Sequence, residues 1–146
     1  MQREERLVIP SQYRAIRKAC ESVSRAAESA GLSDDAVFHV QLAVDEACTN
    51  VVEHAYEGDG RGEIAISWAI ERVEGIDYFV VRIEDRGKCF DPATVPPPLL
   101  SPNPEELQIG GLGIHFMRKM MDRVEYRFSP EKNVLTMYKR LDREGL

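Results

Sequence analysis

The sequence is short of cysteine and histidine, has a single tryptophan, and contains no long apolar run. Its three cysteines, Cys20, Cys48 and Cys89, are far apart and odd in number, and no Cys-x-x-Cys pair occurs. Such spacing supplies no disulfide framework and reads as free thiols in a reducing compartment. No stretch approaches the ~20 apolar residues of a membrane span, and the opening MQREERLVIP lacks a signal-peptide core. The expectation is a cytoplasmic chain with no membrane association. An excess of positive charge is missing as well: 19 Lys and Arg stand against 25 Asp and Glu, a net charge of −6. That balance argues against direct nucleic-acid binding, which needs clustered cations to neutralise phosphates. It leaves room for a local pocket that takes a small phosphate ligand.

What is present suits one domain over residues 1–146, with an ordinary apolar share and clear periodic segments. ERLVIP (5–10) reads as a strand closed by Pro10. Ser11 is an N-cap for the helical run QYRAIRKACESVSRAAESA, which stops at Gly31. Ser33 caps a second helix with two acids in its first turn, suited to the helix dipole. That helix runs about 22 residues, ~33 Å at 1.5 Å per residue, to the glycine cluster at 58–62. GEIAISWAI (62–70) and DYFVVRIED (77–85) read as strands joined by a turn at Glu74–Gly75. A further helix opens in GLGIHFMRKMMD. RVEYRF and NVLTMYKRL then form two strands around a turn at Ser129–Asn133.

Six of the eight prolines fall between Pro92 and Pro104. An interdomain linker is the default for such composition, but it would strand a C-terminal piece of about 40 residues, too small for a core of its own. A long excursion within one compact domain is more often a functional lid.

Three constellations carry chemistry. In DEACTNVVEHAYE (45–57), Glu46, Asn50 and His54 recur every four residues along the edge of an apolar helical stripe. By spacing alone this line is a solvated polar edge. Its oxygens suit Mg²⁺ better than Zn²⁺, and Mg²⁺ binds through one or two protein oxygens plus substrate phosphates. GGLGIHF (110–116) places three glycines before a helix, where free N–H groups favour an anion. It is neither a Walker A loop nor a dinucleotide fingerprint. In EDRGKCFDP (84–92), Asp85 ends an apolar strand and can accept a hydrogen bond from an exocyclic amine, and Gly87 lets a flat ring approach the backbone. Alone, the glycine run reads equally as a hinge before a helix, and Asp85 with Gly87 reads as an ordinary strand-ending turn.

Together and in this order, DEACTNVVEHAY, DRGKCFDP and GGLGIHFMRKMMD resemble the N, G1 and G2 boxes of the GHKL ATP-binding superfamily, which includes histidine kinases, gyrase and MutL. The sequence is most similar to the small anti-sigma factor serine/threonine kinases, and the likeness covers nearly the whole chain. The resemblance implies an α+β fold, a two-layer sandwich of Bergerat type. Its mixed, mostly antiparallel sheet would be covered on one face by helices, with an ATP lid at about 88–112. It implies Asn50 as the Mg²⁺ ligand beside ATP and Glu46 as the general base. Asp85 and Gly87 would stand at the adenine, Gly110, Gly111 and Gly113 at the phosphates, and Thr136 in support of adenine through water. The implied activity is phosphorylation of an anti-anti-sigma (STAS) protein by a regulator that also holds a sigma factor, with homodimerisation through the face of helix 11–30. Two other readings stay open: a nucleotide-sensing module that sequesters a partner without catalysis, and a detached histidine-kinase-like catalytic domain. Cys89 replaces the second glycine usual in histidine kinases, while Phe90, Asp91 and Pro92 match the anti-sigma subset. His39, His54 and His115 are not expected to accept phosphate. His54 reads as packing at its helix end, and Arg118 and Lys119 read as solvated helix charges.

Overall fold

The computed structural model describes residues 4–56, 60, 62–88 and 117–141. Strand β1 (Glu5–Pro10) leads into helices α1 (Tyr13–Ala30) and α2 (Asp34–Asn50). A π-helical turn over Val51–Ala55 continues α2, so the helical run has the length its periodicity predicts. Then come β2 (Glu63–Val73), β3 (Ile76–Asp85), a helical turn at 117–120, β4 (Arg123–Phe128) and β5 (Asn133–Arg140). The strands form one sheet in the order β1-β2-β3-β5-β4. The expected sheet is mixed but mostly antiparallel; all four pairings of the described strands are antiparallel.

Helix α1 buries the stripe Ile16, Ala19, Cys20, Val23 and Ala27, the i, i+3, i+4 spacing of one face. It ends at Gly31, whose φ of 102° lies in the left-handed region that glycine enters without a Cβ clash. Its start differs from the sequence expectation, because the N-cap is Gln12 and not Ser11. Ser11 is fully buried, and its backbone is stitched to the glycine segment: Ser11 N donates to Gly62 O at 2.7 Å, and Gly60 N donates to Ser11 O at 2.7 Å. A residue held at both backbone groups cannot also turn into the first helical position. Ser33 does cap α2, accepting from Ala36 N at 3.1 Å.

The β2–β3 hairpin closes through Glu74 (φ 51°) and Gly75 (φ 80°), two positive-φ residues that match the right-handed twist of the flanking strands. So tight a turn lets the ladder run on to Val73↔Ile76, three residues beyond the expected end of β2. Alternation along the strands then sorts the sheet into two faces. Ile64, Ile66, Phe79, Val81, Ile83, Leu135 and Met137 join the core with α1 and α2. The opposite face carries polar pairs, with Glu71 accepting both Nη groups of Arg82 (2.5 and 3.0 Å) and Lys132 reaching Glu84 at 3.4 Å. Helix α1 packs on β1 and β2, and α2 on β3 and β5. The last turn of α2 therefore lies over the sheet where Asp85 and Asn133 pair.

Candidate nucleotide site

Asn50 is the last residue of α2, where the backbone widens from α to π geometry, a bulge often found at functional positions. It is 4% exposed, and neither Nδ2 nor Oδ1 has a partner among the described residues. Leaving a buried polar group unpaired costs about 1–3 kcal/mol, so an amide with both ends idle is arranged for something other than stability. One turn earlier, Glu46 is half-buried, and its Oε2 is also buried without a partner among the described residues. Burial first, then the charges of Asp45 and Glu53, push its carboxyl above the usual range.

Asp85 ends β3 on the helix-facing side and is 5% exposed. Its Oδ1 accepts from Gly87 N at 2.9 Å and from Asn133 Nδ2 at 2.9 Å. Burial raises its pKa, and those two bonds oppose the rise without cancelling it. The chain leaving β3 is tied to the π turn. Lys88 N donates to Ala55 O at 2.6 Å, and the Tyr56 hydroxyl accepts from Arg86 N at 2.9 Å while donating to Glu63 O at 2.8 Å. Gly87 is required there, because a Cβ would stand 2.5 Å from Ala55 O.

Asn50 and Asp85 line one crevice with Ile83, Leu135, Met117 and Tyr126. It holds about 20 Å³, against roughly 300–1,000 Å³ for ligand pockets in general. Glu46 lines an adjoining cavity of about 240 Å³ with Leu42, Ala43, Met117 and Met120. Met117 belongs to both walls, so the helical turn at 117–120 sets how far the two spaces communicate.

Four sequence-predicted residues, Glu46, Asn50, Asp85 and Gly87, thus gather at the junction of α2, the π turn and β3. Thr136 does not join them. It pairs with Arg82 and lies on the polar face of the sheet with Glu125, Lys132 and Tyr138. Strand alternation is the reason: Asn133, Leu135 and Met137 face the helices, so Thr136 must face away. Its expected place beside adenine is therefore corrected. Gly110, Gly111 and Gly113, together with Cys89 and His115, lie outside the described residues. His54 sits 3.8 Å from Glu53 and has no part in the crevice. Arg118 and Lys119 are exposed, and His39 meets Lys139 Nζ at 3.2 Å. The residue missed by sequence reasoning is Asn133, an amide that opens the core-facing stripe of β5 and occupies the end next to Asp85. Its even spacing from Leu135 and Met137, two and four residues, was the available signal.

The chemistry of this set is acceptor-rich and asymmetric. A buried carboxylate stands at one end, an amide whose oxygen has no partner among the described residues in the middle, and a second carboxylate beyond. Among the described residues no three His, Cys, Asp or Glu side chains cluster as metal ligands, and no helix is long and apolar enough to cross a membrane.

Residues 9–139 match the model of the histidine kinase-like ATPase domain. The serine-protein kinase RsbW of Listeria monocytogenes is 34% identical over 118 residues, which are 78% of this chain and 73% of that protein. The serine-protein kinase RsbW of Bacillus licheniformis is 33% identical over 127 residues, 84% of this chain and 76% of that one. In fold, the chain is similar to a crystal structure of the RsbU and RsbW domains of a Mycobacterium tuberculosis protein. The TM-score is 0.68 at 16% identity, over 97% of this chain and 33% of the other.

Proposed function

Because the chain belongs to the histidine kinase-like ATPase family and, within it, to the RsbW serine-protein kinases, we propose that it transfers the γ-phosphoryl group of ATP to a serine or threonine of a STAS-type anti-anti-sigma protein. In the alternate state of the same switch it holds a sigma factor. The reading takes residues 1–146 as one cytoplasmic domain with the lid at about 88–112, able to pair with a second copy. One observation carries the site assignment: the buried Asn50 amide, without a partner among the described residues, lines the Asp85 crevice one helical turn from Glu46.

Asp85 accepts a hydrogen bond from the exocyclic amine of adenine, and Gly87 leaves the backbone clear beside the ring. Asn50 holds Mg²⁺ through Oδ1, a hard neutral oxygen of the kind that ion shares with phosphates. When bound, Mg²⁺ supplies charge neutralisation on the phosphates. Backbone amides at Gly110, Gly111 and Gly113 take up the remaining phosphate charge. Glu46 receives the proton of the attacking hydroxyl, and its raised pKa brings it nearer the range where a carboxylate is an effective base. Met117 lines both the crevice and the Glu46 cavity, so the nucleotide would meet it on entry.

The deciding experiment is transfer of radiolabelled phosphate from ATP to candidate STAS domains, with Glu46→Ala beside the parent protein. Transfer to a serine or threonine that is lost in Glu46→Ala supports the kinase. Nucleotide binding with no transfer to any STAS domain would sink it and leave a nucleotide-sensing binding module.

A further inference from the structure

Asn133 is 2% exposed, and its Nδ2 stands among three oxygens: Asp85 Oδ1 at 2.9 Å, Gly87 O at 3.2 Å and Lys88 O at 3.3 Å. Two of these are backbone carbonyls, which only accept, so the atom among them is the amide NH₂ whatever the charge on Asp85. One side chain therefore grips both the carboxylate at the end of β3 and the chain that leaves it. The Gly87 N–H ends on the same Oδ1, and neither bond uses Oδ2. Two donors at one oxygen hold the plane of the carboxylate and leave the other oxygen as its open acceptor.

We propose that Asn133 is the positioning residue of the adenine pocket, fixing Asp85 by Oδ1 so that Oδ2 is presented to a 6-amino purine and refuses a 6-oxo purine. The inference rests on the ATP-site reading above and extends it to nucleotide selectivity. A 6-amino group donates to Oδ2. A 6-oxo group presents a second acceptor there, and a site built around a hydrogen bond discriminates strongly against a partner that cannot make it. Discrimination of this kind needs a carboxylate held in one orientation. A freely turning one can move aside or recruit water.

The same contact favours the ionised carboxylate, since a donor on a carboxylate stabilises its charge. Other titratable groups near Asp85 are Tyr126 of β4, in the same crevice, and Glu46 of α2, one turn before Asn50. Arg6 of β1, Tyr56 after the π turn, Glu63 of β2, Glu84 of β3 and Arg86 line a second cavity that Asp85 also borders. Across from Asp85, β2 offers Ile64 and β5 offers Asn133 and Leu135, none of which titrates. All of these titratable groups are common to parent and variants, so a difference in the acid limb between parent and variant isolates Asn133.

The test titrates fluorescent ATP and GTP analogues into the full chain over a range of pH, for the parent, Asn133→Leu and Asn133→Asp. In Asn133→Leu the Kd for the ATP analogue should rise about tenfold or more at neutral pH, the scale of a charged hydrogen bond. The GTP analogue should change little, so the selectivity ratio falls by a similar factor. The acid limb of ATP binding should move to higher pH. Asn133→Asp keeps the size, loses the donor and adds a like charge, so it should shift both readouts the same way and further; it decides the matter should the leucine variant not fold. An unchanged ratio and an unchanged limb in a folded variant, while Asp85→Asn loses ATP, overturns the role of Asn133 alone. If Asp85→Asn binds ATP as the parent does, the adenine-pocket reading itself fails, and this inference with it.

Discussion

Gly87 and Ala55 are in contact so close that any side chain at position 87 would overlap the Ala55 carbonyl, with a Cβ only 2.5 Å from its oxygen. The neighbouring Lys88 N–H donates to that same carbonyl at 2.6 Å. The exit of β3 is thereby registered on the π turn that follows Asn50, and the distance between Asn50 and Asp85 is held by backbone. Gly87→Ala should force the two segments apart, destabilise the fold by about 1–3 kcal/mol as overpacking does, and weaken nucleotide binding more than that loss explains. Chemical denaturation and nucleotide titration on the same variant separate the two effects.

Asn50→Leu should give a protein at least as stable as the parent that no longer binds Mg-ATP. Both polar ends of the amide are buried and idle among the described residues, and relieving such groups recovers about 1–3 kcal/mol. The thermal midpoint without nucleotide should hold or rise, while the upward shift that ligand binding normally adds should vanish. A large fall in the midpoint without nucleotide would mean that Asn50 is structural.

Asp85→Asn should behave in the same spirit, with a pH signature. Burial raises the carboxyl's pKa in the folded state, so the folded protein binds the proton more tightly than the unfolded chain does. The ionised carboxylate is thus a cost that is fully present above the folded-state pKa and disappears as pH falls below the unfolded value. Asparagine, which keeps an acceptor for Gly87 N–H, should stabilise the protein at neutral pH and lose that advantage in acid. Parent and variant melts compared across pH should converge on the acid side.

Glu46→Gln should leave nucleotide affinity within about twofold and lower phosphoryl transfer by about a hundredfold or more, the scale of a lost general base. In the parent, the transfer rate should climb with pH along a limb lying above the ordinary glutamate range, since burial and the Asp45 and Glu53 charges raise this carboxyl. That limb should be absent in Glu46→Gln. If the parent shows no such limb, Glu46 is not the base.

Thr136→Val should not change nucleotide affinity. Thr136 pairs with Arg82 on the polar side of the sheet, across the layer from Asp85. Equilibrium titration of ATP checks this directly, and a tenfold loss would return the threonine to the site.

Much of this was legible in one dimension. The strands, both long helices, the Gly31 stop and the Ser33 cap follow from periodicity and local hydrogen bonding, which act within a few residues. Glu46 and Asn50 could be paired from sequence because four residues bring side chains to one helical face. Ser11 was misassigned for the opposite reason: its backbone is claimed by Gly60 and Gly62, about fifty residues away. Local capping preference has no access to a contact of that range.

The sequence by itself determined the two-layer α+β fold and the family, because the three motif boxes and the alternation of apolar residues are local patterns. Tertiary structure decided which side of the sheet each late residue serves. The strand period of two makes the choice between Thr136 and Asn133 depend on register alone. The β3–β5 ladder pairs Asp85 with Asn133 and turns Thr136 away. It also decided that Asn50 is buried with its amide unpaired among the described residues, since that depends on what α2 meets across the core and on the widening of the helix at Val51.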